Sequence, residues 1–158
     1  MPGVTAADTT READAALTII RLFRTMERIE AGLTPQQYRM LKLVGAGGER
    51  SAKLAERLAV AKPTLTSTAD GLVAAGLLRR ETDTADRRVV RLTLTEAGIA
   101  AVDRAAAVYA AWLGELLRAA GDQDRLLDDF ALIDRAIDQR IAARHAAKEA
   151  EAAQPGPR

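Results

Sequence analysis

Apolar residues recur along most of this chain at the spacing that builds one face of a helix. Across residues 11–30 they fall at intervals of three and four, as a helix with 3.6 residues per turn requires. Thr34 and Pro35 have the composition of an N-cap and a first helical residue. Thr95 is predicted to cap a long helix, which Gly121 separates from the last one. The pattern therefore predicts a mainly α-helical chain.

Residues 51–94 interrupt this pattern with two short helices and two short strands. The second helix begins at Pro63 and ends before Gly76, a residue that favours the left-handed backbone of a helix end. Residues 77–82 and 89–94 then have strand composition, and the second run alternates as a half-buried strand does. A helix-turn-helix followed by a β-hairpin wing is a winged helix. The segment therefore predicts DNA binding.

These residues resemble the MarR (multiple antibiotic resistance regulator) family of bacterial winged-helix transcription factors. The resemblance covers about Leu33 to Gly98 and is most specific at Asp-Arg-Arg in 86–88, followed by Leu-Thr-Leu-Thr-Glu-Ala-Gly in 92–98. It implies a homodimeric repressor. Two recognition helices related by the dimer axis would enter successive major grooves about 34 Å apart, on a pseudo-palindromic operator of double-stranded DNA.

The resemblance assigns DNA contacts to the second helix of the segment and to the tip of the hairpin. Arg88 would enter the minor groove, with Asp86 bracing it. Lys53, Lys62 and Arg87 would contact phosphates, which set register rather than sequence. The residues expected at the DNA are Lys53, Lys62, Pro63, Thr64, Thr66, Ser67, Asp86, Arg87 and Arg88.

Two positions depart from the usual pattern of the family. Many members have a capping residue where this chain has Ala61, and many have a larger polar or basic residue near Ser67. Because Ser67 is small, we expect modest base readout, with more of the affinity coming from phosphates and the hairpin. Two alternatives stay open. One is a winged-helix module that binds protein rather than DNA, and the other is a sequence-indifferent, nucleoid-type DNA binder.

Charge is unevenly distributed along the chain, although the net charge is only +1. Residues 50–94 hold nine Lys and Arg against five Asp and Glu, so this segment carries +4 and the remainder carries −3. A positive surface on the segment that would meet phosphates supports DNA binding. A bias of this size also arises from ordinary surface scatter.

The helices outside this segment have apolar faces that a single small domain cannot easily cover. We therefore predict a winged helix-turn-helix with terminal dimerisation helices, because symmetric dimers are the commonest oligomers. The alternative is a monomer whose terminal helices fold back on its own DNA-binding lobe. The predicted organisation is a disordered tail at 1–10, a single domain at 11–145 (winged-helix lobe about 33–98, dimerisation helices about 11–31 and 99–145) and a disordered tail at 146–158.

The chain lacks the residue types that catalytic and metal-binding sites usually need. It has no cysteine and one histidine, His145, so neither a Ser/His/Asp or Cys/His set nor a zinc site can be assembled. The glycines in 45–48 lack the Lys-Ser/Thr of a phosphate-binding loop. The acidic cluster in 122–129 suggests either cation binding or, more simply, a solvated helix start. We expect neither an enzyme nor a cofactor.

The sequence also predicts a cytoplasmic protein. No signal peptide is visible in residues 1–10, which lack a basic start and an apolar core. The longest apolar run, residues 105–114, is far shorter than the ~20 residues that a membrane span needs. We therefore expect no membrane partner.

Control by a small molecule is a further expectation. The family resemblance implies a pocket where the dimerisation helices meet the winged-helix lobe, holding a small aromatic or phenolic effector. Because the chain has no cysteine, oxidation of a thiol cannot be the signal. The candidate lining residues are Phe23, Met26, Tyr38, Tyr109 and Trp112. Core packing is the alternative role of each, since aromatic side chains dominate core burial.

Overall fold

The structure is a computed structural model that describes residues 6–47, 51–58, 60–82 and 90–152. The chain forms two compact units, Met1–Ala110 and Ala111–Arg158. The predicted fold class is confirmed, since the elements are helices and one two-stranded antiparallel hairpin. In chain order they are α1 (Ala6–Met26), α2 (Pro35–Gly45), α3 (Ser51–Leu58), α4 (Lys62–Ala74), β1 (Leu78–Thr82), β2 (Val90–Leu94), α5 (Glu96–Ala120) and α6 (Gln123–Ala152).

The terminal helices reach further towards the chain ends than the apolar pattern predicted. Residues 6–10 and 146–152 are helical, although the sequence predicted disordered tails there. Both stretches are rich in alanine, the residue with the highest helix propensity, and the second also contains Lys and Glu. Apolar periodicity does not detect such ends, because they carry no apolar stripe. At its other end, α1 stops at Met26 rather than near Glu30.

The start of α2 is fixed by a capping box. The backbone N–H of Gln37 donates to the Thr34 hydroxyl at 3.2 Å, and the Thr34 N–H donates to the Gln37 side-chain oxygen at 2.9 Å. Pro35 occupies the first turn, where its missing N–H leaves nothing unsatisfied. The predicted cap and first residue are therefore confirmed, and Gln37 completes them.

The two ends of α4 are built differently. Its N-cap, Ala61, makes no side-chain hydrogen bond. Its other end is closed by the backbone, because the Gly76 N–H donates to the Val73 carbonyl and the Leu77 N–H donates to the Leu72 carbonyl, both at 2.9 Å. Gly76 has a φ of 71°, which a glycine adopts without strain. The sequence predicted both the missing cap and the glycine stop.

The hairpin pairs Leu78 with Leu94 at its base and Thr82 with Val90 at its far end. Leu78 is buried, and so is Leu92 on the second strand. These leucines join one core cluster that α2, α3, α4, the hairpin and the first half of α5 share. Its largest fully buried side chains are Met40, Leu41, Leu54, Leu72 and Leu78.

The first turn of α5 lies against the backbone at the base of the hairpin. The Thr95 hydroxyl donates to the Gly76 carbonyl at 2.6 Å and accepts the N–H of Gly98 at 3.0 Å. A Cβ atom at Gly98 would lie 2.1 Å from the carbonyl oxygen of Leu77, so a larger side chain does not fit there. Thr95 is thus the predicted cap of α5, and it also joins that helix to the end of α4.

In the second unit, α6 begins with a cap from Asp122. Its carboxylate accepts the N–H of Arg125 at 3.1 Å, which gives this acidic residue the helix-start role that the sequence offered as the simpler explanation. Within the described residues, no group of three or more His, Cys, Asp or Glu side chains is arranged to hold a metal ion. No helix in that part of the chain is long and apolar enough to span a membrane.

Candidate nucleic-acid interface

The outer face of α4 is small, polar and exposed. Leu65, Ala69 and Leu72 are buried and hold the helix against the core. The opposite side is free of large apolar groups, as a helix entering a DNA groove requires. The predicted recognition residues of α4 are all exposed: Lys62, Pro63, Thr64, Thr66 and Ser67.

The first turn of α4 offers hydrogen-bond donors as well as side chains. The N-cap residue Ala61 supplies no side-chain acceptor to the N–H groups of this turn. Unsatisfied N–H groups at a helix start, together with the helix dipole, suit phosphate oxygens. The Thr66 hydroxyl donates its proton to the Lys62 carbonyl at 3.0 Å. Towards DNA it can therefore act as a hydrogen-bond acceptor but not as a donor.

Two ion pairs lie on β1, one on each side of the strand. Arg80 donates through Nη2 to the Asp70 carboxylate and so joins β1 to the outer face of α4. Arg79 donates through Nε to Glu81 at 2.6 Å, within the strand itself. All four side chains are exposed, so both pairs contribute little to stability. The first pair was not predicted from the sequence.

Arg39 on α2 holds the end of α3. Its guanidinium donates to the carbonyl of Leu58 at 3.0 Å and to that of Arg57 at 2.6 Å. These carbonyls belong to the last turn of α3, where no further intrahelical N–H is available. A planar guanidinium can serve both acceptors at once. Arg39 therefore fixes the turn that leads into α4, and the sequence gave no local signal of this role.

The side chains of four predicted DNA contacts lie outside the part of the chain that the structure describes. Asp86, Arg87 and Arg88 lie outside the described residues. Lys53 lies in α3, and only its backbone is described. The described strands place the ends of the hairpin at Thr82 and Val90, so the predicted wing tip is in the segment between them.

A cavity of about 270 Å³ lies between the end of α1 and the start of α2. Of the five residues predicted to line an effector pocket, it contains Phe23. Met26 and Tyr38 pack against the core cluster, and Trp112 lies in the second unit. The cavity is lined by Phe23, Glu27, Thr34, Pro35 and Gln36.

Tyr109 belongs to the core rather than to this cavity. It is buried, and its hydroxyl donates to the Leu33 carbonyl at 2.7 Å. Its ring lies 5.3 Å from that of Tyr38, at an interplanar angle of 56°. Burial, and then the neighbouring Tyr38, raise the pKa of Tyr109 above its usual value. The phenol is therefore neutral across the physiological pH range and already bonded.

Comparison with known proteins gives one family match. Residues 31–89 match the model of the MarR family, a region that begins within the α1–α2 connection and includes α2, α3, α4 and β1. No curated protein matches the chain by sequence.

Solved structures similar to this chain include regulators bound to DNA or to a ligand. The transcriptional regulator MosR of M. tuberculosis, in complex with DNA, is 28% identical, with a TM-score of 0.55 over 85% of this chain and 97% of that one. The transcriptional repressor CouR, bound to a 23-mer DNA duplex, is 29% identical, with a TM-score of 0.59 over 82% and 92%. The transcriptional regulator PcaV from Streptomyces coelicolor, in complex with its natural ligand, is 26% identical, with a TM-score of 0.59 over 87% and 98%.

Proposed function

We propose that this chain is a sequence-specific, DNA-binding transcriptional regulator, on the support of the match of residues 31–89 to the MarR family model and of the fold that the chain shares with DNA-bound regulators. It binds a pseudo-palindromic operator as a homodimer. It represses transcription until a small-molecule effector releases it, and it acts in the cytoplasm, where its operator is.

The observation that carries this proposal is the exposed face of α4. Lys62 stands at the start of the helix beside an uncapped first turn, and both features suit phosphates. Thr64 and Ser67 follow on the exposed side, where small hydroxyl side chains can approach base edges. Arg39 supports the same face indirectly, because it holds the end of α3 from which α4 departs.

The hairpin supplies the second set of contacts. Arg88 enters the minor groove beside the operator half-site and Asp86 orients it, while Arg87 and Lys53 contact phosphates. Narrow minor grooves attract arginine because their negative potential is enhanced. We expect Arg88→Ala to weaken operator binding more than Arg50→Ala does. Equal, small effects of both substitutions on a localised footprint would remove the hairpin tip from the mechanism.

Homodimer formation is supported by the apolar surface of the terminal helices. On α1, Leu17, Ile20 and Phe23 are exposed in the single chain, and on α6, Phe130 and Ile133 are exposed as well. Exposed side chains of this size, repeated at helical spacing, are typical of interaction surfaces. A second copy of the chain covers them and brings two recognition helices into the two-fold arrangement that a pseudo-palindrome requires.

The proposal is tested by isolating the DNA that the protein selects from its host's genome and then footprinting it. A localised footprint with two-fold symmetry is the expected result. Lys62→Ala should weaken binding to all sequences alike and reduce the salt slope by about one unit, because a phosphate contact carries no sequence information. Failure of the wild-type dimer to bind any fragment at low salt would refute the proposal and favour a protein-binding module.

A second candidate function is sequence-indifferent coverage of DNA. It is favoured by the absence of Arg, Asn or Gln from the recognition positions of α4, since these are the residues that pair bidentately with guanine and adenine. This candidate predicts a footprint that spreads with protein concentration rather than one of fixed length. The same experiment therefore separates the two functions.

The effector is proposed to be a small aromatic or phenolic molecule. The cavity that Phe23 lines offers an aromatic surface, and the ligand-bound PcaV structure supports a regulator controlled in this way. Glu27 on the cavity wall is paired with Arg24 at 3.0 Å, so its charge is balanced by a guanidinium, and both a neutral phenol and a salicylate-like anion are candidate ligands. Tyr109 contributes to the support of the lobe rather than to ligand contact.

Calorimetry with and without operator DNA tests the effector. A true inducer binds the free protein more tightly than the operator complex, because a ligand with equal affinity for both states shifts no equilibrium. Phenol and salicylate are the two probes, and the Phe23→Ala variant is expected to lose phenol binding. Equal binding to both states would exclude that probe as the inducer.

A further inference from the structure

Asp70 is an acidic residue on the side of α4 that faces away from the core. It follows Pro63 and Ser67 at intervals of seven and three residues, so the three share one stripe of the helix. The buried stripe formed by Leu65 and Leu72 is on the opposite side. A carboxylate on the DNA-facing surface repels phosphates, and its position there needs a reason.

Arg80 is bound to this carboxylate from the neighbouring strand. The guanidinium donates to Asp70 Oδ1, and the two side chains are 47% and 53% exposed. Asp70 lies eight residues after Lys62, which is about 12 Å along the helix axis. Recognition helices contact base edges through their N-terminal residues. Asp70 and Arg80 are therefore beyond the base-reading end, at the level of the phosphates that border the groove.

We propose that Asp70 limits the strength of DNA binding by holding Arg80 away from the phosphates. The inference rests on the proposed DNA-binding function. An arginine that is paired with a carboxylate has to lose that partner before it can neutralise a phosphate, and the carboxylate then opposes the same phosphate. Binding to non-operator DNA comes almost entirely from such phosphate contacts. Restraining one of them lowers the affinity for operator and non-operator DNA by the same factor, because a phosphate contact carries no sequence information.

The pair formed by Arg79 and Glu81 provides a matched comparison on the same strand. It has the same charges and similar exposure, with side chains 61% and 47% exposed. Successive residues of a strand point to opposite faces, so this pair lies on the other side of β1 from Arg80. Glu81→Gln and Asp70→Asn therefore change the net charge equally, but only the second frees an arginine beside α4.

The experiment measures binding to a mixed-sequence DNA duplex as a function of NaCl concentration, for the full-length protein and its variants. For Asp70→Asn, the slope of log affinity against log salt should steepen by about 0.9, the value for one additional phosphate contact. Between about 50 and 200 mM NaCl this amounts to a roughly 3.5-fold larger loss of affinity than in the wild type. Glu81→Gln should leave the slope near its wild-type value.

A second pair of variants identifies the arginine responsible. Arg80→Gln in the Asp70→Asn background should return the slope to the wild-type value, because the freed cation is then absent. Asp70→Ala, which introduces the best helix former, should reproduce the effect of Asp70→Asn and protects the test against a folding defect specific to asparagine. On the DNA that the wild-type protein selects, operator affinity should rise in both Asp70 variants by the same factor as mixed-sequence affinity, because the added contact is to a phosphate.

Four results would overturn the inference. The first is an unchanged slope in Asp70→Asn, the second is an equal steepening in Glu81→Gln, and the third is a steepening that persists without Arg80. A folded Asp70→Asn protein that no longer binds would also overturn it, and would make the pair a positioning contact. These outcomes all require a wild-type protein that binds DNA. Absence of wild-type binding refutes the proposed function instead.

Discussion

Helices α4 and α6 both carry leucine or isoleucine at helical spacing, but their apolar side chains have different surroundings. In α4, Leu72 is 1% exposed and packs into the core that the hairpin and the neighbouring helices share. In α6, Ile133 is 51% exposed and Ile137 is 49% exposed. The first helix thus has all its apolar contacts within one chain, whereas the second presents them to its surroundings.

Because of this difference, the two regions gain their stability from different contacts. Burial of a leucine side chain contributes roughly 1.5–3 kcal/mol, so the winged-helix lobe is stabilised by its own residues. The apolar face of α6 gains that contribution only when another surface covers it. Substitutions in the lobe should therefore change the free energy of unfolding, and substitutions on α6 should change the dimerisation constant. The four predictions below test that separation, from the largest effect to the smallest.

The strongest test places charge on the exposed face of α6. Ile133→Asp combined with Ile137→Asp should raise the dimer dissociation constant by at least ~100-fold, because two buried, unpaired carboxylates cost at least about 3 kcal/mol. Sedimentation equilibrium measures the change. Gln139→Asp, which adds a carboxylate on the opposite side of the same helix, is the control and should leave the dimer intact. A wild-type protein that is a well-folded monomer at micromolar concentration would contradict the dimer itself.

Gly98→Ala tests whether the lobe is close-packed where α5 begins. The added methyl group meets the Leu77 carbonyl, so the free energy of unfolding should fall by about 1–3 kcal/mol. Gly71→Ala is the opposite case, because a Cβ there has no neighbour within 4 Å and alanine favours a helix. It should stabilise the protein by about 0.5–1 kcal/mol. Urea unfolding measures both variants. A change in the free energy of unfolding that has the same sign in both would contradict the predicted packing.

Arg39→Gln removes the side chain that bonds the end of α3. The unfolding free energy should fall by about 1–2 kcal/mol, since a charged donor and two carbonyl acceptors lose their bonds. Arg24→Gln, which removes an exposed pair with Glu27, is the control and should cost under ~0.5 kcal/mol. Thermal unfolding distinguishes them. Equal effects of the two substitutions would mean that Arg39 is an ordinary surface residue.

Ala61→Ser should produce the smallest change, and in the stabilising direction. A serine at this N-cap can accept an N–H from the first turn of α4, which typically contributes about 1 kcal/mol. Ala75→Ser, at the C-cap of the same helix, offers no such acceptor role and serves as the control. Chemical denaturation measures both. The dimerisation constant should not move in either variant, and a shift with Ala61→Ser would show that the two regions are coupled.

The sequence predicted those parts of the fold that depend on neighbouring residues. Thr34, Gly76 and Thr95 act where and as expected, because caps and glycine stops are decided within a few positions along the chain. The alternation of residues 89–94 likewise predicted the second strand. The helical ends at 6–10 and 146–152 were missed, since high alanine content supports a helix without leaving an apolar stripe.

Features that join distant positions were not predictable in this way. Arg39 donates hydrogen bonds to backbone carbonyls 18 and 19 residues away. Every residue has a backbone carbonyl, so the sequence does not mark which ones accept these bonds. The bond between Arg80 and Asp70 depends on how the hairpin lies beside α4. For Tyr109, both a core role and a ligand role were open, and the structure places it in the core. The assignment of Arg88 to DNA stays a prediction, as it rests on family resemblance.

The hydrogen bond between Tyr109 and the Leu33 carbonyl has a consequence for the order in which the chain folds. It joins residues 76 positions apart, whereas Arg39 and Thr95 each reach 19 positions to their partners. Closing a loop four times as long costs only about 1.2 kcal/mol more in chain entropy. The length of this loop therefore affects when the contact forms more than it affects the stability of the folded chain. During synthesis, the turn of α3 and the base of the hairpin can form as soon as residue 98 is available, but the core around Leu33 has to wait for Tyr109 to emerge. The nascent lobe therefore exposes part of its apolar interior over the last eleven residues before that point.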